Sequence, residues 1–206
     1  MLSTDHWITK GPNLAQETQR KDLRGGVSMQ LEAMAVKFPA VEGHPNRVEF
    51  EGVLTVINVA SDKAPSGARG HRVLLTREAA EKALPSLLGM AVDYRPGWDG
   101  HDARCKIGLL TEATLNGRRL VVRGYLYARD FPDVARAIEA HGPQALGMSY
   151  EIADARVENM SAEVWKLTQV TFTGAAILLR EKAAYRETSF RMGKNREQGT
   201  GIRDQA

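Results

Sequence analysis

Ser149 in ALGMSYEI and His101 in GHDARCKIG are the two residues of this chain best suited to covalent chemistry. A serine hydroxyl is a weak nucleophile, so it needs a neighbouring base to take its proton and donors to hold the oxyanion that forms. Histidine is the side chain whose ordinary titration range suits that base near neutral pH. Ser149 follows Gly147 where a Gly-Pro loop gives way to a β-rich run, a setting that presents a hydroxyl while the backbone stays fixed. His101 ends a Gly/Trp/Pro loop just before another such run, where loops carry function. Each residue taken singly has a plainer reading, a strand serine bonded to backbone and a solvated loop histidine. His6, His44 and His71 lie in polar segments, and His141 ends a helical pattern, where a cation meets the helix dipole favourably.

Other chemistries find less support. The single cysteine, Cys105, allows no intramolecular disulfide and points to a reducing compartment. With one cysteine, no HExxH and no histidines at ligand spacing, no metal site is expected. A phosphate loop of the GxxxxGK[ST] type is absent, and Ser149 is followed by Tyr150 and Glu151 rather than standing in GxSxG. No cofactor is therefore expected. Lys and Arg number 28 against 25 Asp and Glu, a net charge of +3 spread along the chain, and aromatics make up 6%. A basic stripe interleaved with aromatics is missing, which argues against nucleic-acid binding. No stretch has signal-peptide character or the roughly 20 apolar residues of a membrane span, so a cytosolic protein without a membrane partner is expected.

The 206 residues suit one domain with tails. Residues 1–46 are expected to form a mobile arm, residues 47–185 the folded domain, and residues 186–206 a disordered tail poor in apolar residues. Within the domain, VEFEGVLTVINV (48–59) reads as a strand and SDKAPSGARGH (61–71) as a loop. Thr76 is placed to cap a helix that buries Leu84 and Leu87 or Leu88 and ends or kinks at Pro85. DYRPGWDGHDAR (93–104) reads as loop. KIGLLTEATLNGRRLVVRGYLY reads as a hairpin turning at Asn116-Gly117. Asp130 is placed to cap the helix FPDVARAIEAHG, whose stripe is Phe131, Val134, Ala135 and Ile138 and whose stop is Gly142. A last strand pair, LGMSYEIADARV and EVWKLTQVTFTGAAIL, turns around Asn159–Ala162. The order strand, helix, hairpin, helix, hairpin predicts an α+β, mainly β fold with helices packed outside.

The succession of these segments resembles the tailed-phage prohead (capsid maturation) serine proteases. HDARCKIG is similar to that family's histidine segment, ALGMSYEI to its serine segment, and KLTQVTFTGAAIL to its return strand. The resemblance spans roughly residues 47–185 and rests on the order of short motifs more than on any one of them. It implies a closed antiparallel β-barrel like that of the herpesvirus assemblins, with helices outside. It implies Ser149 as nucleophile and His101 as base in a serine endopeptidase that trims scaffold, capsid protein and itself. The implied partners are the major capsid protein and the scaffold, with homo-oligomer formation left open, inside a prohead assembling in the host cytoplasm. The chain departs from the family at Gln169, where an acidic residue is usual, and at Gly174-Ala175 in place of Pro-Ala. An amide can orient an imidazole but supplies no full charge to an imidazolium. Glu151 stands two residues from Ser149 on the same strand face; Asp154 and Glu163 fit less well by that argument. The third member, Glu151 or Gln169, stays open. A protease-fold protein acting only structurally in capsid assembly is the alternative.

Overall fold

The computed structural model describes residue 44, residues 46–142 and residues 144–193. Eight strands build one sheet. They are β1 (Arg47–Val56), β2 (Arg72–Leu75), β3 (Ala91–Tyr94), β4 (Lys106–Asn116), β5 (Arg119–Tyr127), β6 (Leu146–Val157), β7 (Val164–Leu179) and β8 (Ser189–Met192). Two helices accompany them, α1 (Arg77–Ala83), continued by a 3-10 turn over Leu84–Leu87, and α2 (Pro132–His141).

Alternation drives the long strands. In β1, Val48, Phe50 and Leu54 are buried between exposed Glu49 and Glu51, and in β5 Leu120, Val122 and Leu126 face the same core. Thr76 caps α1 as expected, its hydroxyl accepting from the Ala79 amide, and the helix gives way to the 3-10 turn before Pro85. The hairpin forms, but Asn116 is the last paired residue, opposite Arg119, and the loop is Gly117-Arg118. Gly117, at φ 60, supplies the left-handed first position of a tight hairpin loop.

The expected closed antiparallel barrel is corrected on two points. Hydrogen bonding runs β2-β7-β3-β4-β5-β1-β8 with β6 on the other side of β7, so the sheet curls into a half-barrel and stays open. It is also mixed, since β2 and β3 both pair with β7 in parallel. The sixteen-residue β7 makes this possible, offering its first half to β2 and its last to β3. Strands of four residues are too short for a period to be read, and the loop expected at 93–104 takes in Asp93 and Tyr94, the second half of β3.

Three smaller expectations are also revised. Asp130 does not cap α2: the cap position is Phe131 without a side-chain bond, and Pro132 opens the helix, while the Asp130 carboxylate accepts from the Asn46 amide. Gly142 ends α2 with φ 74, as expected. The boundary at residue 185 falls inside the fold, because β8 pairs with β1 and its Phe190 is buried against Phe50, ring centroids 5.2 Å apart. Phe190, the partly buried Met192 and four ladder pairs with β1 tie down a segment whose composition is otherwise polar. Apart from His44 and Asn46, the arm expected at 1–46 lies outside the described residues, as does 194–206.

If β8 is integral, Phe190→Ala costs about 3–5 kcal/mol by urea unfolding. A loss under about 1 kcal/mol would mean that residues 186–193 are a dispensable tail.

Candidate active site

Three strands carry the candidate residues Ser149 and Asp93, and their register sets the two in line. Ser149 on β6 is opposite Ala176 on β7, and Ala176 is opposite Asp93 on β3. Directly opposed residues share a sheet face. Ser149, Ala176 and Asp93 therefore form one row on the same face. The alternating residues Val92, Met148, Ala175 and Ile177 belong to the main core on the other face. Two strand spacings put about 10 Å between the backbones of Ser149 and Asp93. Ala176, completely buried, fills the middle of the row with only a methyl group.

His101 reaches this row from the β3–β4 connection. Its Nδ1 lies 3.5 Å from Asp93 Oδ1. Both ring nitrogens are buried and have no hydrogen-bond partner among the described residues. With Nδ1 turned to Asp93, Nε2 is left available on the other side of the ring. Asp93 is itself held from three directions. Lys106 donates to its Oδ2 at 2.8 Å, the Asp102 amide donates to Oδ1 at 3.3 Å, and His101 faces Oδ1. Burial raises the Asp93 carboxyl, but the adjacent His101 and the hydrogen bond and charge of Lys106 outweigh it and bring the group below its usual value.

The connecting loop is ordered by specific contacts. Trp98 adopts φ 57, is buried, and packs 5.2 Å from Tyr94 and 5.5 Å from His141, ring centre to ring centre. Its carbonyl accepts from the Leu179 amide at the end of β7 (2.8 Å). Beyond His101, the Cys105 amide donates to the Asp102 carbonyl, and Arg104 grips the Asp102 carboxylate through Nε and Nη2, both 3.0 Å. Those hydrogen bonds from Arg104 hold the Asp102 carboxyl at about 2 and commit it elsewhere than the imidazole.

Neither residue expected to orient His101 touches it. Gln169 is exposed and pairs with Arg156 on β6. At about 3.3 Å per residue it lies on the order of 23 Å along β7 from Ala176, too far to reach the ring. Glu151 shares the face of Ser149, opposite Gly174, and its carboxylate lies where a Cβ on that glycine would be, without an ion pair to His101. Glu163 pairs with Arg72, and Asp154 is exposed. The carboxylate beside the imidazole is Asp93, which the sequence reading had placed in a loop. The one available signal was an acidic residue inside the apolar run MAVDY.

The Ser149 hydroxyl has no hydrogen-bond partner among the described residues, and the side chain is half-buried. Its neighbour Tyr150 projects to the opposite face against Phe172, and burial pushes its hydroxyl up to about 12, so it offers no base at neutral pH. The remaining histidines are occupied otherwise: His71 stacks on Trp165, His141 meets Trp98, and His44 accepts from the Asn46 amide. His6 lies outside the described residues. No group of three or more metal-ligating side chains converges among the described residues, and no helix there is long and apolar enough to cross a membrane.

No family model matches the chain, and no curated protein matches it in sequence. Among solved structures it is similar to KSHV protease in complex with a hexapeptide phosphonate inhibitor. That likeness has 11% identity and a TM-score of 0.48 over 72% of this chain and 66% of the other. It is also similar to varicella-zoster virus protease, with 12% identity and a TM-score of 0.42 over 71% of this chain and 64% of the other. The chain thus spans just under two thirds of the length of each.

The depressed Asp93 carboxyl makes stability depend on acid in a defined direction. Its ionised form contributes stability above the unfolded value near 3.8, and that contribution is lost as pH falls through the lower folded value. In Asp93→Asn the contribution is absent at every pH. The gap in unfolding free energy between wild type and Asp93→Asn should narrow as pH drops from about 5 towards 2. Urea denaturation across that range checks it, and a gap constant with pH would mean Asp93 is not held ionised.

Proposed function

We propose that this chain is a serine endopeptidase of the capsid-maturation type, with Ser149 as nucleophile, His101 as general base and Asp93 as the residue that positions His101. The observation that carries the reading is the row Ser149–Ala176–Asp93 with His101 set against the Asp93 carboxylate. The imidazole lies against the acid at one end of this row of roughly 10 Å, and the hydroxyl stands at the other.

Ser149 Oγ attacks the scissile carbonyl carbon while its proton passes to His101 Nε2, and the electron pair of the C=O moves onto oxygen. Collapse of this tetrahedral species breaks the C–N bond as His101 returns the proton to the leaving amine. Water then repeats the sequence against the acyl ester, releasing the acid and restoring Ser149. The Asp93 carboxylate, 3.5 Å from Nδ1, is placed to attract the Nδ1 proton, to keep it off the nitrogen that must act as base, and to stabilise the transient imidazolium. Lys106 and the Asp102 amide keep that carboxylate from turning away.

The substrates in this reading are scaffold and capsid protein, and the chain itself, within a phage prohead assembling in the host cytoplasm. The ordering of the histidine, serine and return-strand segments supports that assignment. The structural, non-enzymatic alternative drew its support from Gln169. With Gln169 remote from the imidazole, the missing acid there has no bearing on His101.

Co-expression with the capsid and scaffold proteins of the same virus tests the reading by intact-mass spectrometry. Wild type should yield trimmed products and Ser149→Ala full-length masses; identical unprocessed masses in both would overturn it. A fluorophosphonate probe should add its mass to the peptide bearing Ser149 in wild type and not in His101→Ala. Asp93→Asn should lower kcat by roughly 10²–10⁴-fold, with labelling slowed in parallel while the fold is retained.

A further inference from the structure

Where the half-barrel fails to close, arginines gather. A cavity of about 260 Å³ lies between the start of β6 and the segment entering β8, lined by Arg119, Gln144, Arg180, Arg186, Glu187 and Arg191 among others. Four guanidinium groups face one carboxylate there, and the only ion pair within the lining joins Arg119 to Glu187 at a loose 3.9 Å. Arg186 and Arg191 are exposed, and among the described residues their side chains have no acidic partner. Arg180 is built in more firmly. Its backbone amide donates to Ala145 (2.8 Å) and its Nη2 to Gln144 Oε1 (3.1 Å), yet its buried Nε–H has no acceptor. A buried guanidinium donor without an acceptor, among like charges, is costly until an anion arrives, and the fork of Nε and Nη suits a carboxylate.

The geometry points to this seam as a specificity pocket that takes an acidic side chain of an extended peptide. The inference rests on the endopeptidase reading for its peptide ligand. Ala145, bonded to Arg180, precedes Ser149 by about 13 Å of extended strand. An aspartate or glutamate some four residues from the scissile bond would span that distance. Glu187 in the wall favours a monoanionic carboxylate over a dianion such as phosphate, which it repels more strongly.

Binding to the full chain carrying Ser149→Ala tests this without turnover. The probes are an acetylated, amidated tetraglutamate peptide, its tetraglutamine counterpart and inorganic phosphate. They are followed through the arginine Nε–H resonances in ¹⁵N–¹H spectra. The glutamate peptide should shift the Arg180 Nε–H signal and bind at least about tenfold tighter than the glutamine peptide. The exposed pair Arg186→Gln and Arg191→Gln should lose about tenfold in affinity with the unfolding midpoint unchanged. Equal binding of the two peptides, a response to phosphate alone, or no response would each overturn the proposal. If the glutamate peptide binds as expected and Ser149→Ala leaves processing unchanged, the pocket stands and the endopeptidase reading falls.

Discussion

A buried carboxylate is the constraint around which this site is organised. Asp93 has a side chain only 1% exposed, and an ion so placed costs several kcal/mol unless charge and hydrogen bonds compensate it. Compensation comes from Lys106 at the start of β4, from the Asp102 amide in the loop, and from His101. Each partner belongs to the chain that leaves β3 and returns as β4, so satisfying Asp93 folds that connection onto the sheet. The position of the imidazole follows from the same requirement.

The sheet supplies the other half of the geometry. β7 pairs with β6 along one edge and with β2 and β3 along the other. It is thus the common reference that sets Ser149 and Asp93 in one row. A slip of one residue in either ladder would turn one of them into the core. Glycines flank this row where side chains fold over the sheet: Thr188 occupies the space over Gly147, and Glu151 the space over Gly174. The same long strand leaves β6 with an unpaired outer edge. The arginine-lined cavity takes residues from just before β6, from the end of β7 and from the four-residue β8.

Much of the architecture was legible in local pattern. The capping of α1 by Thr76, the Gly117 hairpin, the Gly142 stop and the long strands β1, β4, β5, β6 and β7 all follow from alternation and turn chemistry acting over neighbouring residues. What local pattern missed were elements too short to show a period, β2, β3 and β8, and every contact that depends on how distant strands align. Asp130 illustrates the limit: it has the right residue type to cap α2, but Asn46 engages its carboxylate and Pro132 starts the helix instead.

The candidate pair of Ser149 and His101 was visible in the sequence because a nucleophile and a base must come from very few residue types, here set in loop-to-strand contexts. Their partner was not. Glu151 and Gln169 were near in sequence to the serine or its return strand, and proximity along the chain says nothing about which carboxylate meets the imidazole. The fold of the β3–β4 connection brings Asp93 to the imidazole, and parallel pairing of β3 with β7 sets that acid in the row of Ser149, a register between strands far apart in the chain. The residue types were set by the sequence alone; their juxtaposition arose only when the ladders aligned and Asp93 had to be satisfied.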